Sequence, residues 1–380
     1  MDKKPLRIAL LGFGTVGGGV YDYVQNRRDM VITHVLSRRP RPELTCCVTA
    51  DFNDIISDPS VDVVVETIGG VDPAYEYAKL TMEAGKHFVT ANKNLIAAHY
   101  RELVELADRK GVTLRCSAGV GGGIPWLPNL ERTLQQETVT RISGIMNGTS
   151  NYILDQMHSS DLGFEDALSA AQKLGYAEAD PSADLNGGDI RRKLVISANI
   201  AFGCVLKEED IAVAGIENLR AEDIQACKKL GRVCKMIASA RDLGDSVVAY
   251  IEPAFMDAQL PEAAVPLNFN RISLTGFHIG KQSFFGQGAG RYPTAYNVMQ
   301  DCIAILNGQK GFYTDKLEDR SVDNSSVIRP YYVRATHTDS WLRENIAKIL
   351  DHGVILKPVS VTEMHTWAKK NDCFFAALRD

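Results

Sequence analysis

Short apolar runs alternate with amphipathic segments over the first third of the chain. The apolar runs have the length of strands buried on both faces and lie at 6–11, 31–36, 61–66, 87–90 and 112–118. The segments between them have apolar positions at helical spacing and lie at 18–29, 73–86 and 95–111. This alternation predicts an α/β domain built on a doubly wound, Rossmann-like parallel sheet.

From about Val139 the pattern becomes α+β. A strand-like onset and an Asn-Gly turn precede a helix within 140–157, residues 221–244 are predicted to form two helical runs, and 247–255 and 272–286 are predicted strands. Because exposed strand edges need cover, we expect this open sheet to carry a homodimer interface.

The last part of the chain is predicted as a small β-α-β-like tail. Its helices are expected at 339–353 and 362–371, between strands at 329–336, 354–361 and 372–378. The predicted domains are therefore a dinucleotide-binding domain (1–138, completed by 290–310), a substrate-binding and dimerisation domain (139–289), a polar, acid-rich linker (311–326) and the short tail (327–380).

Composition and charge narrow the class of protein. The 380 residues carry a net charge of −5 with acids and bases mixed along the chain, so no nucleic-acid or membrane-surface partner is expected. The eight cysteines show no C-x-x-C pair, which favours a reducing compartment. The first apolar run ends in a glycine-rich turn without a cleavage site, and no run is long enough to span a bilayer. We therefore expect a cytoplasmic protein.

The first predicted strand leads directly into a G-x-G-x-x-G motif. Gly12 would allow the tight turn, Gly14 would let the backbone approach a pyrophosphate, and Gly17 would let the helix pack on the strand. The following helix N-terminus would offer free N–H groups to the phosphates. In this context the motif indicates a dinucleotide site, with a merely tight strand–helix turn as the alternative.

Two other strand ends bear on the cofactor. The second strand ends without the acid that NAD-preferring sites use for the ribose hydroxyl, and Arg38 and Arg39 follow instead. A guanidinium suits a 2′-phosphate, so NADP is favoured, with NAD or a solvated basic turn as alternatives. Thr67 begins the loop after the strand at 61–66, and this loop is expected to lie along the cofactor.

Acidic and basic groups are concentrated in Leu174–Ile196. Glu178, Asp180, Asp184, Asp189 and Lys193 fall in this stretch, and Asp189 and Lys193 share one face of a predicted helix. Such groups at a packed junction can do proton chemistry, although an acidic surface loop is the simpler alternative. Lys93 follows a strand end, where doubly wound sheets bind ligands, or is an ordinary surface lysine.

Together these motifs resemble the homoserine dehydrogenase family. The resemblance is carried by GFGTVGGGV (12–20), TANKNLIA (90–97), GVGGGIP (119–125), GIMNGTSNYIL (144–154), LGYAEADPSADLNGGDIRRKL (174–194) and GQGAGRYPTA (286–295). It implies NAD(P)-dependent interconversion of L-aspartate 4-semialdehyde and L-homoserine, a step toward threonine, methionine and isoleucine. The tail resembles the start of an ACT regulatory domain and stops short of a complete one.

The resemblance also implies residue roles. Lys193 is implied as the proton donor and Lys93 as a group near the reacting carbon and the nicotinamide. Glu178 and Asp189 would hold the substrate, with Gly175 and Asp184 nearby. The implied cofactor contacts beyond the glycines are Phe13, Thr15, Val16 and Gly290.

One departure from the family concerns a monovalent cation, Na⁺ or K⁺. The family commonly has an acid where Ser117 stands, and the cation is also held by backbone carbonyls that here belong to Val120, Gly122 and Ile124. Trp126 is also bulkier than the family's usual aliphatic residue. These departures keep two alternatives open: a related dehydrogenase of another small hydroxy or amino acid, and a non-catalytic dinucleotide-binding regulatory protein.

Overall fold

The structure is a computed structural model that describes residues 4–311 and 317–380. The described residues divide into two compact units. The first contains residues 4–136, 199–205, 287–311 and 317–318, and the second contains 137–198, 206–286 and 319–380. None of the helices within these residues combines the length and the apolar character needed to cross a membrane.

The elements are numbered in chain order. The strands are β1 Leu6–Leu11, β2 Met30–Leu36, β3 Cys47–Thr49, β4 Val63–Glu66, β5 His87–Thr90, β6 Leu114–Arg115, β7 Val139–Ile145, β8 Cys204–Val205, β9 Ala212–Val213, β10 Arg232–Asp242, β11 Ser246–Asp257, β12 Phe269–Gly276, β13 Gly280–Gln287, β14 Glu318–Asp319, β15 Ser321–Val322, β16 Ile328–Arg329, β17 Tyr331–Ala335, β18 Ile346–Ile349, β19 Val354–Leu356, β20 Val359–Ser360 and β21 Cys373–Arg379. The α-helices are α1 Thr15–Gln25, α2 Asn53–Ile56, α3 Asp72–Glu83, α4 Lys93–Lys110, α5 Trp126–Leu134, α6 Gly148–Ser159, α7 Phe164–Lys173, α8 Ser182–Leu185, α9 Gly188–Phe202, α10 Ala221–Lys229, α11 Arg291–Leu306, α12 Ser340–Asn345 and α13 Val361–Ala368.

The first unit is built on a six-stranded sheet in the order β3-β2-β1-β4-β5-β6. Every neighbouring pair is parallel. The central strand β1 is buried along nearly its whole length, which explains its continuous apolar sequence. Helix α11 packs against α1, where a Cβ on Gly19 would lie 2.9 Å from the Ala295 Cβ. The predicted doubly wound parallel sheet is confirmed.

The second unit is built on an eleven-stranded mixed sheet. Its main order is β13-β12-β7-β10-β11-β21-β17-β19-β18, with β9 and β15 also paired to β11. Strands β10 and β11 form a long antiparallel pair. The second helical run predicted within 221–244 is therefore wrong, because residues 232–242 form β10. Both faces of β10 are largely buried, and such a strand has no polar face to reveal a period of two.

The C-terminal residues belong to the same sheet. Strands β17, β18, β19 and β21 extend it, and β21 pairs in parallel with β11. The predicted helix at 339–353 is shorter, because α12 ends at Asn345 and the chain continues as β18. The ACT-like character of this segment is not confirmed. Of the predicted linker, 312–316 lies outside the described residues, and β14 and β15 fall in the rest.

Candidate functional site

The first unit contains a cavity of about 1000 Å³ at the carboxyl end of its sheet. It is lined by residues from the turn after β1, from the segment after β2 and from the loop after β4 and the start of α3: Gly12, Phe13, Gly14, Leu36, Ser37, Arg38, Arg39, Arg41, Ala50, Thr67, Ile68, Gly69, Pro73 and Tyr77. This is where doubly wound sheets bind nucleotides.

The three motif glycines have different surroundings. Gly12 has φ +90°, a conformation that L side chains rarely adopt. A Cβ on Gly17 would lie 2.3 Å from the Gly12 carbonyl oxygen, so only glycine lets α1 approach the strand this closely. A Cβ on Gly14, the residue that precedes α1, would meet no atom of the described residues within 4 Å. The backbone N–H groups at the start of α1 therefore face open space, which fits a bound pyrophosphate.

The other predicted cofactor contacts lie close to this turn. Thr15 and Val16 begin α1, and Val16 packs on the core of the first unit. The Thr67 hydroxyl donates to the carbonyl oxygens of Leu11 at 2.9 Å and Gly12 at 3.3 Å. The Thr67 side chain therefore stabilises the turn by binding the backbone carbonyls of the turn residues.

Arginines line the cavity beyond β2. Arg38 and Arg39 are exposed and follow the strand end, as the sequence predicts. Arg41, which the sequence argument did not single out, donates from Nη2 to the Phe13 carbonyl oxygen at 3.3 Å, and its guanidinium lies 5.2 Å from the Phe13 ring centroid. The cluster of three arginines in 38–41 was the available signal for it.

A buried carboxylate, also missed from the sequence, organises the loop after β4. Glu66 Oε1 accepts from the backbone N–H groups of Ile68 at 2.7 Å and Gly69 at 2.9 Å, and the Thr90 hydroxyl donates to Oε2 at 2.5 Å. This carboxylate joins the ends of β4 and β5. The only sequence signal was an acid closing an apolar strand.

Lys93 is the first residue of α4 and is half-buried. Asn92 caps this helix, because its Oδ1 accepts from the N–H groups of Asn94 and Leu95. The Asn92 amide also donates to the Gly70 carbonyl oxygen at 2.5 Å. Lys93 therefore follows a strand end, as predicted, on a helix start that is tied to the loop after β4.

The implied cation ligands Val120, Gly122 and Ile124 follow the 3₁₀ turn Ser117–Gly119. Two of their carbonyl oxygens, on Gly122 and Ile124, accept hydrogen bonds from the Asn297 side-chain amide. No group of three or more His, Cys, Asp or Glu that could hold a metal occurs in residues 4–311 and 317–380. With the Asn297 NH₂ group donating to two of the three implied carbonyl ligands, the residues as they are arranged here do not fit a bound Na⁺ or K⁺.

The second unit contains a buried polar cluster around α9. Lys193 Nζ donates to Asp189 Oδ2 at 2.7 Å and to the Met146 carbonyl oxygen at 2.7 Å. The Asn147 amide donates to the same Asp189 oxygen at 2.8 Å and to Asp184 Oδ1 at 2.6 Å. Lys193 and Asp189 are only 8% and 6% exposed. Their arrangement is an i,i+4 pair on one helix face, as the sequence predicts.

Asn147 is the member of this cluster that sequence reasoning missed. Its Oδ1 caps α6 by accepting from the Ser150 N–H at 2.7 Å, which leaves its Nδ2 for the two carboxylates. The Asn-Gly dipeptide indicated a turn. It did not indicate that the amide would bridge two acids distant in sequence.

Burial raises the pKa of Asp184, and the neighbouring Asp189 carboxylate raises it further. The hydrogen bond from Asn147 opposes this change in part. Two acids and one lysine held together in this way can hold and move a proton.

The remaining predicted residues lie outside these contacts. Glu178 is exposed. Within the described part of the chain its one hydrogen bond is made by its backbone carbonyl oxygen, which accepts from the Gln172 side-chain amide. Gly175 is exposed with φ +75°. In the first unit, Gly290 has φ +132° and precedes α11. The structure therefore brings together Asp184, Asp189 and Lys193, and it does not bring Glu178 or Gly175 into hydrogen-bond contact with them.

Relatives of known function match most of the chain. A family described as "Homoserine dehydrogenase, NAD binding domain" matches residues 12–117, and one described as "Homoserine dehydrogenase" matches 125–303. A homoserine dehydrogenase from Bacillus subtilis is 37% identical over 343 residues, which cover 87% of this chain and 77% of the relative. One from Pseudomonas aeruginosa is 36% identical over 359 residues, covering 88% and 83%. A crystal structure of a homoserine dehydrogenase from Thiobacillus denitrificans matches with a TM-score of 0.90 at 30% identity and covers 99% of each chain.

Proposed function

The chain belongs to the homoserine dehydrogenase family of nicotinamide-dinucleotide-dependent oxidoreductases, and we propose how its residues divide the work of that reaction. The reaction interconverts L-homoserine and L-aspartate 4-semialdehyde, in the biosynthesis of threonine, methionine and isoleucine. We assign the cofactor to the first unit, and the substrate and its proton to the second. The main support is the buried contact of Lys193 with Asp189.

Lys193 is assigned as the proton donor in the direction of aldehyde reduction. Its ammonium group has three N–H bonds, and two of them are directed at Asp189 and the Met146 carbonyl within the described part of the chain. The third remains for the oxygen of the substrate, where it stabilises the developing alkoxide and transfers the proton. In the reverse direction the amine accepts the hydroxyl proton.

Asp189 orients Lys193 and, with Asp184 and Glu178, supplies negative charge for the ammonium group of the substrate. The exposed carboxylate of Glu178 is available for such a contact. Gly175 has a positive φ, and we assign it to the turn that precedes and positions Glu178. Lys93, at the start of α4, is assigned to the nicotinamide and the reacting carbon.

The bound dinucleotide supplies the hydride chemistry, and the chain supplies its placement. Gly12 and Gly14 line the cavity and Gly17 lets α1 approach the strand, which fits a pyrophosphate at the start of α1. The proposed further contacts are Phe13 and Thr67, which also line the cavity, and Thr15, Val16 and Gly290, which the family resemblance implies. NADP is the proposed preference, because Arg38 and Arg39 follow β2 where an NAD site would place an acid.

The test is a spectrophotometric assay of the purified full-length protein. L-homoserine is mixed with NADP or with NAD, and the reduced-nicotinamide absorbance is followed. We expect homoserine-dependent reduction that is faster with NADP. Reduction with another small hydroxy acid and none with homoserine would contradict the proposed substrate, and cofactor binding without any turnover would indicate a regulatory protein.

A homodimer is proposed through the second unit. Strand β13 lies at an edge of the eleven-stranded sheet, and the β12–β13 hairpin exposes Phe277, Ile279 and Phe285. Light scattering during size-exclusion chromatography should give twice the chain mass, and Phe277→Ser should shift the protein toward the monomer. Within the described residues the cysteines form no disulfide, which supports the proposed cytoplasmic location.

A further inference from the structure

The side-chain amide of Asn297 lies on the loop that would hold a monovalent cation. Asn297 Nδ2 donates to the carbonyl oxygens of Gly122 at 2.5 Å and Ile124 at 2.9 Å. Asn297 is fully buried on α11, in the same unit as the loop. In this arrangement the NH₂ end of the amide faces the two carbonyl oxygens, because the oxygen end would be repelled by both unless a cation lay between them. Two of the three implied ligands are therefore already satisfied by hydrogen bonds.

The residue that would add negative charge to the site is also absent. Ser117 stands there, and its hydroxyl donates to Asp301 Oδ1 at 2.6 Å while its N–H donates to Oδ2 at 2.8 Å. The Arg115 Nε also donates to Asp301 Oδ1, at 3.0 Å. The nearby carboxylate is therefore neutralised by an arginine and bound to the backbone.

Asn297 and Asp301 are four residues apart and lie on one face of α11. Asn297, on one turn of the helix, thus binds the carbonyls of Gly122 and Ile124, and Asp301, on the next turn, binds Ser117. The loop is tight on its other side as well, since a Cβ on Gly122 would lie 2.4 Å from the Gly288 carbonyl oxygen and the Gly123 N–H donates to the Gln287 carbonyl oxygen. These contacts between groups of the chain hold the loop in its shape.

We propose that Asn297 takes the place of the monovalent cation, so that this enzyme works without Na⁺ or K⁺. The part of this inference that concerns turnover rests on the proposed function; the part that concerns ion binding does not. An amide NH₂ gives the two carbonyl oxygens the positive partner that a cation would give them. It is covalently part of the chain, so its contribution does not depend on ion concentration.

One arrangement competes with this proposal. The Asn297 Oδ1 has no hydrogen-bond donor in the described part of the chain. A 180° rotation of the amide would direct Oδ1 toward the Gly122 and Ile124 carbonyls, and three converging oxygens would be stable only around a cation. The experiment must therefore distinguish an amide donor from an amide ligand.

The full-length protein is exchanged into choline chloride and compared in choline, sodium and potassium chloride at equal ionic strength. Three quantities are measured: the midpoint of thermal unfolding, the kcat/KM for homoserine, and the broadening of the ²³Na NMR signal by the protein. For the wild type we expect no difference among the salts and no saturable broadening.

Asn297→Asp places a carboxylate beside the same two carbonyl oxygens and removes the donor. We expect this variant to lose stability and activity in choline and to regain them saturably with Na⁺ or K⁺. Asn307→Asp, an identical change at the exposed end of α11, is the control and should show no salt-specific response.

Saturable stimulation or stabilisation of the wild type by Na⁺ or K⁺ would overturn the proposal and favour the rotated amide. An Asn297→Asp variant that behaves like the wild type in choline would also overturn it, because the amide would then contribute nothing to the stability of the loop. If no salt supports homoserine turnover, the proposed function fails, while the unfolding midpoint and the NMR signal still decide the question of ion binding.

Discussion

Lys193 lies one helical turn after Asp189, and its ammonium nitrogen is 2.7 Å from an Asp189 carboxylate oxygen that also accepts from Asn147. The pair is buried on α9, so the lysine is held in one position before any substrate arrives. Holding a proton donor in place lowers the entropy that must be lost when it acts.

The first prediction concerns Lys193. Lys193→Met should lower kcat/KM for homoserine by about 10²–10⁴-fold, the usual contribution of a positioned acid or base. The dinucleotide should bind with unchanged affinity, measured by fluorescence titration. Lys207→Met, at an exposed lysine just after α9, is the control. Near-normal turnover in Lys193→Met would show that another group donates the proton.

The second prediction compares two glycines of the first turn. Gly17→Ala would place its Cβ 2.3 Å from the Gly12 carbonyl oxygen, so it should destabilise the first unit by about 1–3 kcal/mol and abolish dinucleotide binding. The Cβ of Gly14→Ala would meet no atom within 4 Å in the part of the chain that the structure describes, so this variant should unfold like the wild type but bind the dinucleotide at least about tenfold more weakly. Chemical denaturation and fluorescence titration measure the two effects. Unchanged affinity in Gly14→Ala would place the pyrophosphate elsewhere.

The third prediction concerns cofactor preference. The double variant Arg38→Ser, Arg39→Ser should raise the KM for NADP by about 10–100-fold, the loss expected for one or two charge-assisted hydrogen bonds, and leave the KM for NAD unchanged. Arg28→Ser, at an exposed arginine outside the cavity lining, is the control. Arg41→Ser should weaken both cofactors, because Arg41 contacts Phe13. Equal losses for NADP and NAD in the double variant would argue against a 2′-phosphate contact.

The sheet of the first unit could be predicted from the sequence because its signals are local. The apolar runs at 6–11 and 87–90 coincide with β1 and β5, and the predicted helix at 95–111 overlaps α4. The strands β1, β4 and β5 are buried along nearly their whole length, and each strand of the sheet is separated from the next by a helix or a turn. The three-residue β3 was missed because it is too short to show a pattern.

The second unit shows where local pattern fails. Strand β10 was predicted as a helix because its apolar residues do not alternate with polar ones, and its pairing with β11 and β7 makes it a strand. The contacts of Asn147 and Asn297 were also invisible, because an asparagine side chain donates and accepts, and which it does depends on neighbours distant in sequence. Residue types indicated the chemistry, and the fold decided which groups meet.

The fourth prediction uses the raised pKa of Asp184. Because the folded state holds the proton more tightly than the unfolded chain, stability is greatest at low pH and falls as the pH rises through the folded pKa. Asp184→Asn keeps the hydrogen bond from Asn147 and removes this loss. At pH 7 the variant should therefore be more stable by up to about 1 kcal/mol, since Asp184 is only partly buried, and the difference should vanish as the pH falls well below the ordinary Asp pKa of 3.8.

Urea denaturation at several pH values measures this difference. Asp180→Asn is the control with the opposite sign, because Ser182 donates hydrogen bonds to the exposed Asp180 carboxylate and lowers its pKa. An Asp184→Asn variant that is less stable than the wild type at pH 7 would show that the ionised carboxylate stabilises the cluster.

The last prediction concerns Lys235, a fully buried lysine of β10. Its Nζ donates to the Val265 carbonyl oxygen at 2.6 Å and to Asn151 Oδ1 at 3.1 Å, and burial lowers its pKa to about 8. Between this value and the ordinary pKa of 10.5, the unfolded chain binds a proton that the folded protein has released. The contribution of Lys235 to the free energy of unfolding should therefore increase with pH in this window, by at most about 1.4 kcal/mol per pH unit.

Lys235→Met removes this titration, so the stability of the wild type relative to the variant should rise between pH 8 and pH 10. Denaturation of both proteins at matched pH values measures this difference and cancels the titration of the buried cysteines and tyrosines, which both share. Lys229→Met changes an exposed lysine that is paired with Asp351, and its stability relative to the wild type should not follow the same curve. If the two lysine variants give the same pH dependence, Lys235 keeps its proton inside the sheet because its two oxygen acceptors outweigh the cost of burial.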